Sequence, residues 1–190
     1  NSEAYQFIKK TMTLDGIINS PNGQPALYEY RISDKNNPAQ YGKIDKPQFL
    51  WAGGWYFYTL YNLFGLRENE WNISFKPYLP EDLDLVKFKL TLGNRLVDVE
   101  IIGEGQNVSS IMYDEKQIPS LVIPNDVGNL NKIVINLGDA NVPFISSTNA
   151  LVANAYFDEG KNVLDFDLHS FEGHRIETKI ISPLLIKEII

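Results

Sequence analysis

The sequence predicts an α+β chain in two parts, a helical region with a long loop over residues 1–82 and an antiparallel β-sandwich over residues 83–190. Three observations predict it. The run from Pro47 to Leu66 carries no charged residue and is long enough for a buried helix. Beyond residue 84 apolar and polar residues alternate with period 2. Clusters of Gly, Asn, Asp and Pro then divide that second half into short segments.

Taken in order, Ser2 to Met12 is a helical candidate because Tyr5, Ile8 and Met12 fall on one helical face. Gly16 to Lys46 follows as a long loop rich in Asn, Pro, Gly and Asp, a length that marks a functional loop. The aromatic helix comes next, with Pro47 suited to its first turn and Gly65 to its end. It is not a membrane span, because Gln48, Thr59, Asn62, Tyr56, Tyr58, Tyr61 and the Gly53-Gly54 pair dilute its hydropathy. Two helices cannot close a core by themselves, so residues 1–82 read as part of a larger α-domain.

The second half opens after the Pro-punctuated link Phe75 to Pro80. Val86 to Leu92 alternates strictly, Gly93-Asn94 offers a turn, and Leu96 to Ile101 returns, which makes a hairpin. Further strands are expected at Val108–Tyr113, Leu121–Ile123, Ile133–Leu137, Ala150–Phe157, Val163–Leu168 and Ile176–Ile181. Regular short strands with turn signals between them indicate the sandwich.

The chain has 190 residues, no Cys, and 17 Lys plus Arg against 24 Asp plus Glu, so its formal charge is 17 − 24 = −7. A disulfide-stapled miniprotein and a basic nucleic-acid binder are thereby excluded, and an acidic surface favours neutral partners over nucleic acid or anionic membrane. No metal site and no cofactor are expected. The first residues, Asn1 to Tyr5, hold neither an initiator Met nor a signal-peptide core, so the true start is expected upstream, in a fragment or a processed product.

Three ordered blocks carry a resemblance. They are Gly23-Gln24-Pro25-Ala26-Leu27-Tyr28-Glu29-Tyr30, then Gln48-Phe49-Leu50-Trp51-Ala52-Gly53-Gly54-Trp55, then Phe64-Gly65-Leu66 with Ile73 to Pro80. Over about residues 15–105 the chain resembles the end of the six-hairpin α/α barrel of glucoamylase-type glycosidases, a group related to inverting sugar phosphorylases and to the glucosidase part of glycogen-debranching enzymes. The resemblance implies that residues 1–82 are the last helices of such a barrel. It also implies an oligosaccharide substrate and an upstream barrel segment, or a separate barrel chain, as partner.

Within that resemblance Glu29 falls where the hydrolases keep the carboxylate that activates water. Inverting hydrolysis needs two carboxyl groups about 6.5–9.5 Å apart, and the acid of these families would lie upstream of this chain. Trp51 is implied as the aromatic closest to the sugar, with Tyr28 and Gln48 as further substrate contacts. Trp55 and Tyr58 continue the helical row begun by Trp51. The phosphorylases bind phosphate partly through a Thr-Gly pair where this chain has Leu50-Trp51, so hydrolysis is favoured over phosphorolysis. The alternatives are a non-catalytic carbohydrate-binding or packing module, or the C-terminal part of a sugar phosphorylase.

Asp165, Asp167 and His169 alternate along one strand, with Glu172 and His174 after it. Their alternation with Leu164, Phe166 and Leu168 reads as the wet face of an antiparallel strand rather than a metal site. Asn72-Ile73-Ser74 and Asn107-Val108-Ser109 are glycosylation sequons, relevant only in a secreted protein.

Overall fold

The computed structural model describes residues 2–11, 28–32, 34–41, 44–47, 58–68, 72–124 and 129–188. They belong to two compact units, Asn1–Leu63 and Phe64–Ile190. The division falls ahead of residue 82, where composition suggested it. Residues 64–82 lie in the second unit because Phe75 and Leu79 are fully enclosed in its core.

The first unit opens with α1, Ser2–Thr11, which carries Glu3 in its first turn and buries Tyr5 and Ile8, three apart on one face. Strands β1 (Tyr28–Arg31) and β2 (Ile44–Pro47) then pair antiparallel, with Tyr28 opposite Pro47 and Tyr30 opposite Asp45. Between them a polar turn is held by the Asn36 amide donating to Asp34 Oδ1 at 2.9 Å and the Tyr41 amide donating to the Asn37 carbonyl at 2.9 Å. Residues 58–63 are helical.

This arrangement corrects the expected barrel end. Among the described residues only α1 and 58–63 are helical, and no segment of an α/α barrel is present. Glu29 sits in a strand rather than a long loop, and Pro47 closes β2 rather than opening a helix. Tyr28-Glu29-Tyr30-Arg31 alternates aromatic with charged side chains, which is the period of a strand, and an uncharged apolar run does not by itself separate helix from strand. Residues 48–57 of the expected aromatic helix lie outside the described residues. No helix among the described residues is long and apolar enough to cross a membrane.

The second unit begins with β3 (Leu66–Glu68) and β4 (Ile73–Phe75), an antiparallel pair. Gly65, at φ +91°, precedes β3, and a Cβ there would stand 2.0 Å from the Lys76 carbonyl oxygen, so only glycine fits. A five-stranded sheet follows, built from β5 (Leu85–Leu92), β6 (Arg95–Ile102), β7 (Val108–Tyr113), β8 (Lys116–Gln117) and β9 (Lys132–Leu137) in the order β5-β6-β9-β7-β8. The β5–β6 hairpin turns at Gly93-Asn94, with Leu92 opposite Arg95.

The rest of the unit is two antiparallel pairs. β10 (Phe144–Thr148) pairs with β13 (Thr178–Ile181), and β11 (Leu151–Asp158) pairs with β12 (Val163–His169).

A single antiparallel sandwich was expected here, and the structure replaces it. β6 and β9 run parallel, and the 103–131 connection containing the β7–β8 hairpin is long enough for that crossover. The interior is also divided in two. One core packs the inner face of the five-stranded sheet, Val97, Val99, Ile101, Ile133 and Ile135, against Phe75, Leu79, Leu121, Ile123 and Phe144. The other joins Val122, Ile145, Val152 and Ala155.

Alternation along a strand explains the division. Leu121 and Ile123 face one core and Val122 the other, just as Phe144 and Ile145 do. Residues 119–123 and β10 are thus a shared wall, locked by the Leu121 amide donating to the Ile145 carbonyl at 2.8 Å and the Ile145 amide to the Pro119 carbonyl at 2.9 Å. The same wall is tied to β4 by the Phe75 amide donating to the Leu121 carbonyl at 2.8 Å.

Candidate functional site

The second unit holds an open groove of about 1090 Å³. One side is the β7–β8 hairpin and the other is the middle of β11. Its polar lining includes Lys116, Gln117, Asn131 and Asn154, and its apolar lining includes Ile118 and Tyr156.

The hairpin side is fixed by Asp114. This residue adopts φ +52°, a left-handed conformation that Asp tolerates at modest cost. Its carboxylate compensates, because Asp114 Oδ1 accepts hydrogen bonds from the Asn131 amide at 3.0 Å and the Lys132 amide at 2.9 Å. The Asp114 amide in turn donates to the Lys132 carbonyl at 2.8 Å, so the turn is clamped to the start of β9.

Below the hairpin, Tyr113 is buried and its hydroxyl donates to the Ser120 carbonyl at 2.8 Å. Burial pushes that phenol far above its ordinary range, so it stays neutral and acts as a post between the sheet and the shared wall. Ser120 Oγ donates to the Val122 carbonyl at 2.7 Å and accepts from the Val122 amide at 3.1 Å, which satisfies a fully buried hydroxyl.

The β11 side is shaped by a register shift between Val152 and Asn154. The extra residue lets Val152 and Ala155, three apart, both enter the second core, and it turns Asn154 and Tyr156 outward. Tyr156 is 55% exposed, a large aromatic on the wet face of its strand. Asp165 lies opposite Tyr156 and Asp167 opposite Asn154 across the ladder.

Charge is arranged on the outer face of the five-stranded sheet as well. Glu100 accepts Lys87 Nζ at 2.8 Å and Lys132 Nζ at 3.0 Å, while Lys89 pairs with Asp98. Hydrogen bonds from Lys87 first and Lys132 second hold the Glu100 carboxyl below the usual carboxylate range. Lys132 therefore reaches the groove already partnered.

Of the residues singled out by resemblance, Tyr28 and Glu29 have a described backbone, in β1. Glu29 and Tyr28 are adjacent in β1, but their side chains lie outside the described residues, as do Gln48, Trp51 and Trp55 altogether. Asp165, Asp167 and His169 do alternate on the exposed face of β12, with His169 Nε2 at 3.3 Å from Asp167 Oδ2. Among the described residues no group of three or more His, Asp or Glu side chains is placed to hold a metal ion.

Sequence reasoning assigned no role to Tyr156, Asn154, Gln117 or Asn131. One signal was available: within the alternation of β11, Tyr156 falls in phase with Asn154 and with the acidic face of β12, where a large aromatic has no core to fill. No protein-family model matches this chain, and no curated protein sequence matches it significantly.

Proposed function

We propose that residues 64–190 are a non-catalytic binding module whose groove takes a neutral oligosaccharide. The observation that carries this reading is Tyr156, an aromatic ring exposed on the wall of a groove whose polar lining sets the amides of Gln117, Asn131 and Asn154 beside two acidic and two basic side chains, Asp114, Glu115, Lys116 and Lys132. A phenol ring offers a flat apolar face to the C–H side of a pyranose, and amides such as Gln117, Asn131 and Asn154 can both donate to and accept from sugar hydroxyls. The volume suits a ligand of a few rings.

Catalysis is not part of the reading. The two carboxylates lining the groove, Asp114 and Glu115, are neighbours in one turn, and that of Asp114 is occupied by backbone amides. They are not disposed as an acid and a base on opposite sides of a bond.

The test is titration of the full chain with neutral gluco- and manno-oligosaccharides, followed by Tyr156→Ala. Loss of the ring should weaken binding about tenfold or more, which is about 1.4 kcal/mol, with the fold intact by circular dichroism. Tyr41→Ala, an exposed tyrosine of the first unit, serves as the control and should leave affinity unchanged. Equal affinity in wild type and Tyr156→Ala would refute the assignment.

A further inference from the structure

We infer that the groove discriminates by charge, preferring a cationic amino-sugar oligomer to a neutral one and rejecting uronic-acid oligomers. The inference rests on the groove being the sugar site.

Its basis is the β11–β12 register. Residues directly opposite in an antiparallel pair share a face, with Cβ atoms about 4.5–5.5 Å apart. Tyr156 is opposite Asp165 and Asn154 is opposite Asp167, so both groove residues of β11 carry a carboxylate as their immediate neighbour. Both aspartates are exposed on the same outward face, since Phe166 and Leu168 between and beyond them turn toward the second core. A ring laid on Tyr156 would extend over that acidic row.

The surrounding charges do not cancel it. On the hairpin side Glu115 and Lys116 offset one another, Asp114 is bonded to backbone amides, and Lys132 is paired with Glu100. On β12 the nearby basic side chain is His169, 3.3 Å from Asp167, and farther along the chain Arg175 lies 3.7 Å from Glu177. What remains beside the aromatic platform is negative, in a chain whose formal charge is −7.

The experiment compares three oligomers of equal length, a neutral glucan, an oligouronate and an N-trimethylated chitosan-type amino-sugar oligomer, whose quaternary ammonium groups stay charged at any pH. Each is titrated by calorimetry into the full chain at about pH 8, above the ordinary imidazole range. At low salt two carboxylates within a Debye length should weaken the oligouronate about tenfold relative to the neutral oligomer, and the amino sugar should bind about threefold more tightly than the neutral one. Both differences should shrink when salt is raised to about 0.5 M. The double variant Asp165→Asn/Asp167→Asn should bring the three affinities within about twofold and leave the neutral oligomer unchanged.

Binding of the neutral oligomer without discrimination, or discrimination that survives in the double variant, would overturn the inference while leaving the groove assignment standing. No binding of any oligomer would overturn both.

Discussion

The five-stranded sheet and the β11–β12 ladder are both made of alternating residues, yet they use the alternation for different ends. In the sheet, Val97, Val99, Ile101, Ile133 and Ile135 fill a core with no exposure, and on the outer face Lys87 and Lys132 both pair with Glu100. In the ladder only Val152 and Ala155 are fully buried, Phe166 and Leu168 are half-buried, and the outer face presents Tyr156 beside Asp165 and Asp167. Buried apolar side chains are concentrated in the first, and an exposed aromatic ring beside carboxylates is displayed on the second. A change in one should therefore leave the other largely as it was.

The largest expected effect is on the sheet side. Ile135→Ala removes a fully enclosed side chain between β6 and β7, and should destabilise the second unit by about 2–5 kcal/mol in denaturant unfolding. Molecules that remain folded should bind sugar with wild-type affinity. A loss near zero would mean that the central strand does not carry the core.

Asp114→Ala is the variant that joins the two regions. It removes the acceptor of two backbone amides and leaves a non-glycine residue at positive φ, so a loss of about 1–2 kcal/mol is expected. Amide hydrogen exchange should rise at Asn131 and Lys132 in particular. Unchanged protection there would show that the turn is held by other contacts.

The smallest effect concerns Glu100. Its carboxyl titrates below the usual range in the folded state, so the Lys87–Glu100–Lys132 pairing adds stability above the ordinary value of 4.5. That increment is lost as pH falls below 4.5 through the depressed folded value, when the folded state must take up a proton. Glu100→Gln should remove this part of the acid sensitivity and change little at neutral pH, as expected for solvent-screened pairs. An identical acid profile in wild type and variant would remove Glu100 from the account.

Much of the sheet was legible in the sequence because its strands are long enough to show their period. Val86, Phe88, Leu90 and Leu92 alternate with Lys87, Lys89 and Thr91, and Gly93-Asn94 marks the turn, so β5 and β6 could be read directly. β3 and β4 have three residues each, too few to establish a period. The parallel pairing of β6 with β9 is non-local and leaves no mark on either strand. Val122 was read as part of an ordinary strand, whereas its segment is a wall between two cores, with apolar residues needed on both sides.

In the first unit the error had a different source. The alternation Tyr28-Glu29-Tyr30-Arg31 was visible, but the Asn-, Pro-, Gly- and Asp-rich composition of residues 16–46 read as one long loop, and the resemblance set that loop ahead of a barrel helix read into the uncharged run after Pro47. The groove was not legible because its two walls come from residues 113–118 and 153–156, which only the fold brings together. Tyr156 alone gave a local hint, an aromatic residue in phase with Asn154, Asp165 and Asp167.

The central claim is that the ladder and hairpin, not the sheet face, receive the ligand. Its most direct test is an NMR titration of the full chain with a neutral oligosaccharide, following backbone amides residue by residue. Saturable shifts are expected at 113–118, 131–132 and 153–156, with the outer-face residues Lys87, Lys89 and Asp98 unmoved. Shifts confined to residues outside those walls, or none at saturating sugar, would contradict it.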